Sequence, residues 1–198
     1  MDLPTIISFA IFAFVAAFTP GPNNIMLAAS GANFGFRASL PHILGVCVGF
    51  CLLVVAAGFG LAGLFEAVPG LYDVLKIISI LFLIYLAWKI VTAGEAEHKT
   101  GTVPLRLWQA ATFQLVNPKG VSVIISAVTA YTSSAEAIWG EVTILLIVFF
   151  LVTLGSTCTW AYFGVFLRQF LKSPLRLRLF NTGMASLLLA SLLPMLLG

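Results

Sequence analysis

The sequence predicts an all-α integral membrane protein with about six transmembrane helices, and its composition and the length of its apolar runs support this fold class. Of the 198 residues, 61% are hydrophobic and only 9% are charged. Soluble domains average roughly 45–50% apolar and 25% charged residues, so this chain has too few charges to cover a water-exposed surface. The apolar runs leave no room for a separate soluble module. We therefore expect one transmembrane domain over residues 1–198.

Six apolar runs reach the length of roughly 20 residues that a membrane span requires. The predicted spans are 4–29, 40–65, 71–91, 108–131, 139–166 and 174–197. Pro69-Gly70 marks the turn after the second span. The longest polar stretch, 93–105, is interpreted as a cytoplasmic linker between half one (1–92) and half two (106–198). A cleavable signal peptide begins with a basic region, whereas this chain has no Lys or Arg before Arg37. The first span is therefore expected to be retained.

The basic residues are unevenly distributed between alternate loops. The loops after spans one, three and five hold most of them: Arg37, Lys89, Lys99, Arg106, Arg168, Lys172, Arg176 and Arg178. The opposite side holds only Lys76, together with the acidic residues Asp2, Glu66, Asp73, Glu136 and Glu141. Cytoplasmic loops attract Lys and Arg, and acidic residues carry less weight in this rule. The three basic loops are therefore predicted to be cytoplasmic, with both termini outside.

The arrangement of the halves predicts an inverted repeat. Three spans precede the linker and three follow it, so the second half enters the membrane from the opposite face. This 3+3 plan is common among transporters. The first span of each half also carries an interior proline, Pro20 or Pro118. A broken first helix in each half is therefore expected.

The first predicted break lies at residues 19–24, well inside span one. Pro20 and Pro22 each remove a backbone donor and clash with the carbonyl four residues earlier, and Gly21 between them adds freedom. Lipid cannot satisfy the freed carbonyls, so the break should face protein or a wet cavity. A simple proline kink is the alternative interpretation.

The second predicted break lies at residues 114–120 and contains a charge. Lys119 sits roughly a dozen residues into span four, too deep for easy snorkelling at about 1.5 Å per residue. A lysine at that depth costs roughly 2.5 kcal/mol or more. Its expected partners are freed carbonyls, water or the carboxylate of a ligand. A purely structural anchor to carbonyls is the alternative.

The two breaks together predict a site for a small zwitterion. A helix that starts inside the membrane attracts anionic groups, and the carbonyls at the end of the preceding helix can hold an ammonium. An amino acid is the most common small zwitterion in a cell. The candidate substrate-binding residues are Thr19, Pro20, Gly21, Pro22, Asn23, Asn24, Gln114, Asn117, Pro118 and Lys119. No catalytic residue, metal site or cofactor is predicted, and the absence of a basic stripe with interleaved aromatics argues against a nucleic-acid partner.

The motifs Thr19-Pro20-Gly21-Pro22-Asn23 and Asn117-Pro118-Lys119 resemble the signature of the LysE/RhtB family of amino-acid exporters. The resemblance extends over essentially the whole chain. The paired asparagines at 23–24 and the run 86–90 are similar to the branch that exports cysteine and O-acetylserine. The resemblance implies a bacterial inner-membrane exporter that moves amino acids outward and is driven by the proton gradient. Family members often have a glycine several residues before Asn-Pro-Lys, whereas this chain has Gln-Ala-Ala-Thr-Phe at 109–113.

Four further features have two interpretations each. Small residues spaced by four, Gly31 with Gly35 and Gly45 with Gly49, allow close helix approach either within the monomer or in a homodimer. The hydroxyl cluster 156–159 either bonds back to its own helix or lines the substrate path. His42 is interpreted as an interfacial histidine without function, with titration as the alternative. The cysteines at 47, 51 and 158 are interpreted as small packing residues, because a metal site needs more ligands.

Two other function classes stay open at this point. A passive channel or a membrane assembly subunit would also be polytopic, but an assembly subunit would not require two broken helices. An intramembrane enzyme needs a nucleophile with a base, or clustered metal ligands, at membrane depth. The sequence has no paired His and Glu and no Gly-x-Ser-x-Gly, so an enzyme is not expected. Saturable counterflow of an amino acid distinguishes an exporter from the other classes.

Overall fold

The computed structural model describes residues 1–58, 60, 67–68, 70–93, 104–132 and 138–193. In these ranges the chain forms eight helices: α1 Leu3–Phe18, α2 Pro22–Phe34, α3 Phe36–Gly58, α4 Leu71–Ala93, α5 Leu107–Val116, α6 Pro118–Tyr131, α7 Ile138–Arg168 and α8 Pro174–Ala190. No strand is assigned within them. The described residues therefore agree with the predicted all-α class.

Three of these helices, α3, α4 and α7, are each long and apolar enough to cross a membrane. The pair α1 and α2 meets the same criteria when taken together, with a bend of 54° at the break. The remaining helices α5, α6 and α8 have 10, 14 and 17 residues, which is shorter than the roughly 20 residues of a straight span. The described residues thus give an integral membrane architecture, while the count of six spans stays a prediction.

Several sequence predictions fall outside the described residues. These are most of the linker, at 94–103, Pro69 of the predicted turn, and the ends of the predicted spans two and six, at 59, 61–65 and 194–197. Lys99 belongs to the undescribed part of the linker, Glu66 follows the predicted span two, and Glu136 belongs to the undescribed residues 133–137. The remaining boundaries agree with the predictions to within about two residues, except at the junction of α2 and α3. Helix α2 continues to Phe34, five residues beyond the predicted end of span one, and α3 begins at Phe36, four residues before the predicted start of span two.

A single glycine joins α2 to α3. Gly35 has a φ of +86°, a left-handed conformation that side chains with a Cβ rarely adopt. Its N–H caps α2 by donating to the Gly31 carbonyl at 3.0 Å. The chain can therefore reverse from the end of α2 into α3 without an intervening loop.

Helix α2 lies at the centre of the fold, with every residue from Pro22 to Ala32 buried. It packs most extensively against α7. A Cβ at Gly31 would collide with the backbone carbonyl of Ala161, and one at Gly164 would collide with that of Ala28. The two backbones are thus in direct contact along this pair of helices.

The glycines of α3 make a second close approach, against α5. A Cβ at Gly45 would collide with the Leu107 carbonyl oxygen, and one at Gly49 would lie 2.6 Å from that of Ala111. The segment 109–113 of α5 has no glycine, but the glycines of the facing helix α3 allow the two helices to approach closely. Packing within the chain accounts for Gly31, Gly45 and Gly49, and a homodimer remains a prediction.

The pattern of helix contacts relates the two halves of the chain. The broken pair α1 and α2 packs on α7, and the broken pair α5 and α6 packs on α3. The middle helices α3 and α7 contact one another, as do the last helices α4 and α8. Each broken helix therefore lies against the middle helix of the other half, which brings the two breaks to the same region.

Candidate functional site

A cavity lies between the two helix breaks, with α3 and α7 forming its remaining walls. This break cavity encloses about 490 Å³, counted together with its opening. Six of the predicted site residues line it: Gly21, Pro22, Asn23, Asn24, Asn117 and Lys119. The other four predicted residues, Thr19, Pro20, Gln114 and Pro118, do not line the cavity.

The first break is a real interruption of the helix, and side chains replace the missing backbone donors. Helix α1 ends at Phe18 and α2 begins at Pro22, with Thr19 and Gly21 in extended conformations. Asn24 Nδ2 donates to the carbonyl oxygens of Ala17 at 2.8 Å and Thr19 at 3.0 Å. Two carbonyls at the end of α1, those of Ala17 and Thr19, are therefore bonded within the protein rather than left to lipid.

The second break consists of one residue, Asn117, between α5 and α6. Lys119, in the first turn of α6, extends across to the first break. Its Nζ donates to the carbonyl oxygen of Thr19 at 2.6 Å and to that of Pro20 at 3.4 Å. Freed carbonyls, one of the three kinds of partner expected from the sequence, are thus its partners, and this contact also fits the alternative of a structural anchor.

No carboxylate among the described residues forms an ion pair with Lys119. The buried carboxylate of Glu141, in the first turn of α7, instead lies 3.9 Å from the N-terminal ammonium of Met1. Lys119 therefore contributes a positive charge to the cavity that only backbone oxygens offset within the described part of the chain.

The Lys119 side chain fills the space in which a side chain at position 21 would lie. A Cβ at position 21 would lie 2.9 Å from Lys119 Cδ and 3.1 Å from Lys119 Nζ. The φ of Gly21 is −173°, which any residue can adopt, so the restriction at this position is one of space. The lysine side chain passes directly over the glycine on its way to the Thr19 carbonyl.

A buried pair of amides joins the two breaks. Asn23 Nδ2 donates to Gln114 Oε1 at 2.7 Å, and Gln114 Nε2 donates to Asn23 Oδ1 at 3.1 Å. Gln114 Oε1 also accepts from Asn117 Nδ2 at 3.2 Å. Gln114 is completely buried, so its place in the site is to fix Asn23 and Asn117 relative to one another.

Two polar atoms of the cavity residues have no hydrogen-bond partner in the described structure: Asn117 Oδ1 and Thr153 Oγ1. On the same helix as Thr153, the hydroxyls of Thr143, Thr157 and Thr159 each donate to the carbonyl oxygen four residues earlier, at 2.7 Å. Thr153 departs from that pattern although it is 4% exposed. Unsatisfied buried polar atoms are uncommon in proteins and call for a physical reason.

The hydroxyl cluster on α7 fits both of its sequence interpretations. Thr157 and Thr159 bond back to their own helix. Ser156 Oγ instead donates to the Ala17 carbonyl oxygen of the first break at 2.7 Å. Ser156 and Thr157 also line the break cavity, so this part of α7 both supports the first break and presents hydroxyls to the cavity.

The remaining walls of the cavity are apolar, and the sequence interpretation had not placed them in the site. They include Val46 and Phe50 on α3, Val123 on α6 and Phe149 on α7. Thr153 was missed as well, although it lies one helical turn before Ser156 and Thr157 on the same helix face. No sequence signal distinguishes the phenylalanines here from those that face lipid.

The charges and dipoles around the cavity favour an anionic group. Helices α2 and α6 both begin at it, and the N–H groups in the first turn of a helix have no partner inside that helix. The positive ends of both helix dipoles therefore add to the Lys119 ammonium. Conversely, the freed carbonyls of Ala17, Thr19 and Pro20 are occupied by Asn24, Ser156 and Lys119.

His42 differs from its sequence interpretation. It was expected to be an interfacial histidine, but it is 1% exposed and lies among the buried residues of α3. It lines a second cavity at the far end of α2. Within the described residues, no group of three or more His, Cys, Asp or Glu side chains could hold a metal ion.

Comparisons with known proteins agree with these features. Residues 14–193 match the model of the family described as LysE type translocator. A cysteine/O-acetylserine efflux protein of Escherichia coli O1:K1 / APEC is 31% identical over 167 residues, which cover 81% of this chain and 83% of the relative. The protein of the same name in Salmonella paratyphi A (strain ATCC 9150 / SARB42) is 29% identical over 166 residues, covering 82% and 84%. No solved structure matches the chain.

Proposed function

The chain belongs to the LysE type translocator family, and from this premise we propose that it is a secondary exporter of small amino acids or their close derivatives across the bacterial inner membrane. It is a transporter rather than an enzyme. The proposal places the substrate in the break cavity. The observation that carries it is the Lys119 ammonium beside two helix N-termini, in a cavity that both broken helices share.

The polar groups of the cavity divide into two sets that suit a zwitterion. Lys119 and the first turns of α2 and α6 supply positive charge and N–H donors for a carboxylate. Asn117 Oδ1, which lacks a partner in the described structure, is an acceptor for the ammonium. The freed carbonyls are unsuited to that second role, because the protein already occupies them.

The size and chemistry of the substrate side chain follow from the rest of the lining. Phe50 and Phe149 restrict the space, and the hydroxyls of Thr153, Ser156 and Thr157 are polar. These residues suit a short side chain with a polar group, and relatives named for cysteine and O-acetylserine efflux support the same class. We therefore propose serine, cysteine and O-acetylserine as the first substrates to test.

The proposed architecture is a 3+3 inverted repeat of six spans. In it, α1 with α2 and α5 with α6 each form one broken span, and α8 is part of the sixth. The reciprocal packing of each broken pair on the middle helix of the other half supports this arrangement. In such transporters the substrate binds where discontinuous helices meet near the midplane.

The proposed orientation follows from the basic loops, which lie in the cytoplasm with both termini outside. Arg37 lies in the first turn of α3, Arg168 is the last residue of α7, and Lys172 lies between α7 and α8. In this orientation, export would carry the substrate from the cytoplasmic side, which holds the basic loops, to the outside. A proton gradient is the proposed driving force, which the resemblance to the family implies.

Counterflow in proteoliposomes tests the proposal. Purified protein is reconstituted with unlabelled O-acetylserine inside, and uptake of labelled serine, cysteine or O-acetylserine is measured with and without a proton gradient. We expect saturable counterflow, which a passive channel would not give. Lys119→Met should reduce it at least about tenfold at low substrate concentration, because a hydrogen bond to a charged group contributes about 1.5–3 kcal/mol and 1.4 kcal/mol is a factor of ten.

Lys172→Met is the matched control, since it removes an equal charge from an exposed position between α7 and α8. It should leave counterflow unchanged. Full counterflow by correctly inserted Lys119→Met protein would remove Lys119 from the substrate site. Absence of counterflow with every amino acid tested would overturn the exporter proposal itself.

A further inference from the structure

A second cavity of about 470 Å³, counted together with its opening, lies at the opposite end of α2 from the break. Its polar lining comes from three helices: Ser30 and Asn33 on α2, His42 on α3 and Lys89 on α4. At about 1.5 Å per helical residue, Ser30 and Asn33 lie roughly 10–15 Å along α2 from Asn23. The two cavities are therefore separate but share one buried helix.

Most polar groups of the second cavity are satisfied inside the protein. The hydroxyls of Ser30 and Ser39 are 2.7 Å apart and share a hydrogen bond. Asn33 and Asn181 exchange two amide hydrogen bonds, at 2.8 and 3.0 Å. These bonds fix the wall of the cavity.

His42 is the exception. It is 1% exposed, and its Nε2 has no hydrogen-bond partner among the described residues. Both ring nitrogens of an imidazole take part in hydrogen bonds, one as donor and one as acceptor in the neutral form. Leaving one of them buried and unpaired is penalised, so this nitrogen calls for a partner that the described chain does not supply.

The charge of the second cavity specifies what that partner can be. Lys89 is the charged side chain of its described lining, with Nζ 5.9 Å from the centre of the Tyr85 ring. Much of the remaining lining is apolar and includes Met26, Leu86 and Ile90. A cation, an imidazole nitrogen and an apolar wall suit a small molecule with a carboxylate at one end and a short side chain at the other.

We propose that the second cavity is a separate binding site for a small amino acid, in which the Lys89 ammonium and the N–H of His42 Nε2 donate to its carboxylate. The site rests on the proposed function for its ligand class, but it uses none of the residues of the break cavity. It lies at the end of the fold that holds the basic loops, and so at the side from which an exporter receives its substrate. In this scheme, an amino acid would bind in the second cavity before it reaches the break cavity.

The number of bound molecules tests the second site directly. Binding of labelled O-acetylserine to purified protein in nanodiscs should reach two equivalents per chain. His42→Phe and Lys119→Met should each reduce it to one. Ser79→Ala should keep two, because Ser79 is another buried side chain without a described partner but lines neither cavity.

Nitrogen NMR provides a readout that does not require a His42 variant to fold. The chain has two histidines, so the spectrum of protein labelled with ¹⁵N-histidine is simple to assign. In a Lys119→Met background, O-acetylserine should shift the His42 Nε2 resonance. The shift should saturate with the same Kd as the remaining equivalent.

The two proposals fail in different ways. A single equivalent that Lys119→Met removes, with no change at His42 Nε2, would show that the second cavity holds water only, and counterflow would still support the exporter. Two equivalents of bound ligand without counterflow would support the second site and overturn the proposed transport. A shift of the His42 resonance that does not saturate would overturn the second site.

Discussion

Replacing Gln114 by leucine tests whether the buried amides between the two breaks stabilise the fold. Leucine is similar in size and removes both polar atoms of Gln114. Asn23 then loses its bonds of 2.7 and 3.1 Å, and Asn117 loses one of 3.2 Å. Two hydrogen bonds between the two breaks and one within the second break are therefore lost, together with the bond from Gln114 Nε2 to the Ala110 carbonyl oxygen at 2.8 Å.

The cost of this loss in free energy of unfolding can be estimated in two ways. If each deprived group stayed buried and unpaired, the loss would be about 1–3 kcal/mol per group. Hydrogen bonds between membrane helices instead average about 0.6 kcal/mol, since unfolded chains in a membrane also find partners. The lower figure applies here, because Asn23 and Asn117 line a cavity where water can reach them. We expect Gln114→Leu to lower the free energy of unfolding by about 2 kcal/mol.

Equilibrium unfolding in mixed micelles measures this loss, and a double-mutant cycle assigns it. Asn23→Leu combined with Gln114→Leu should show a coupling of about 1 kcal/mol, because the pair shares two of the bonds. Thr112→Val is the control on the same helix, since its exposed hydroxyl bonds only to its own helix at 2.8 Å. A loss under about 0.5 kcal/mol for Gln114→Leu, no larger than a surface change, would refute the role of the amide pair.

Three further predictions follow from the packing and the charge distribution. Gly21→Ala should fold with a free energy of unfolding within about 1 kcal/mol of the wild type. It should lower counterflow at least about tenfold, because the added Cβ displaces Lys119 from the Thr19 carbonyl. Gly155→Ala is the control, since its Cβ would lie in open space, and equal counterflow by both variants would contradict the contact. Gly164→Ala should lower the free energy of unfolding by about 3 kcal/mol, because the added Cβ would collide with the Ala28 backbone. Gly183→Ala is the control, because its Cβ would lie in open space, and it should raise the free energy of unfolding by up to about 1 kcal/mol. Similar values for both variants would contradict the close approach of the helices. A reporter fused to the C-terminus should give an outside signal, and a cytoplasmic signal would reverse the predicted orientation.

The sequence predicts local features of this protein well, because they depend on the chemistry of neighbouring residues. The prolines at 20 and 22 interrupt the first helix, as their missing donors require. Lys119 donates to a freed carbonyl, which was one of the partners expected for a lysine inside a span. Helix boundaries follow from the apolar runs for the same reason.

Long-range partners could not be predicted, because no periodicity relates residues 91 or 100 positions apart. The pairing of Asn23 with Gln114 and of Lys119 with Thr19 depends on how the halves pack. The sequence therefore assigned the freed carbonyls to a substrate ammonium, whereas the protein itself occupies them. Thr153 was missed for a similar reason, since a threonine that does not bond to its own helix is distinguished only by its surroundings.

The hydrogen bonds of α2 bear on how the two cavities could communicate. Its first turn is tied to α5 by the Asn23–Gln114 pair, and its last turn is tied to α8 by the Asn33–Asn181 pair. Any movement of α2 relative to both helices has to break these four bonds. At about 0.6 kcal/mol for each bond in a membrane, the total is about 2 kcal/mol. A state that costs a few kcal/mol is still populated at 0.1–10%, so these pairs define the resting position of α2 without preventing its exchange with a second position.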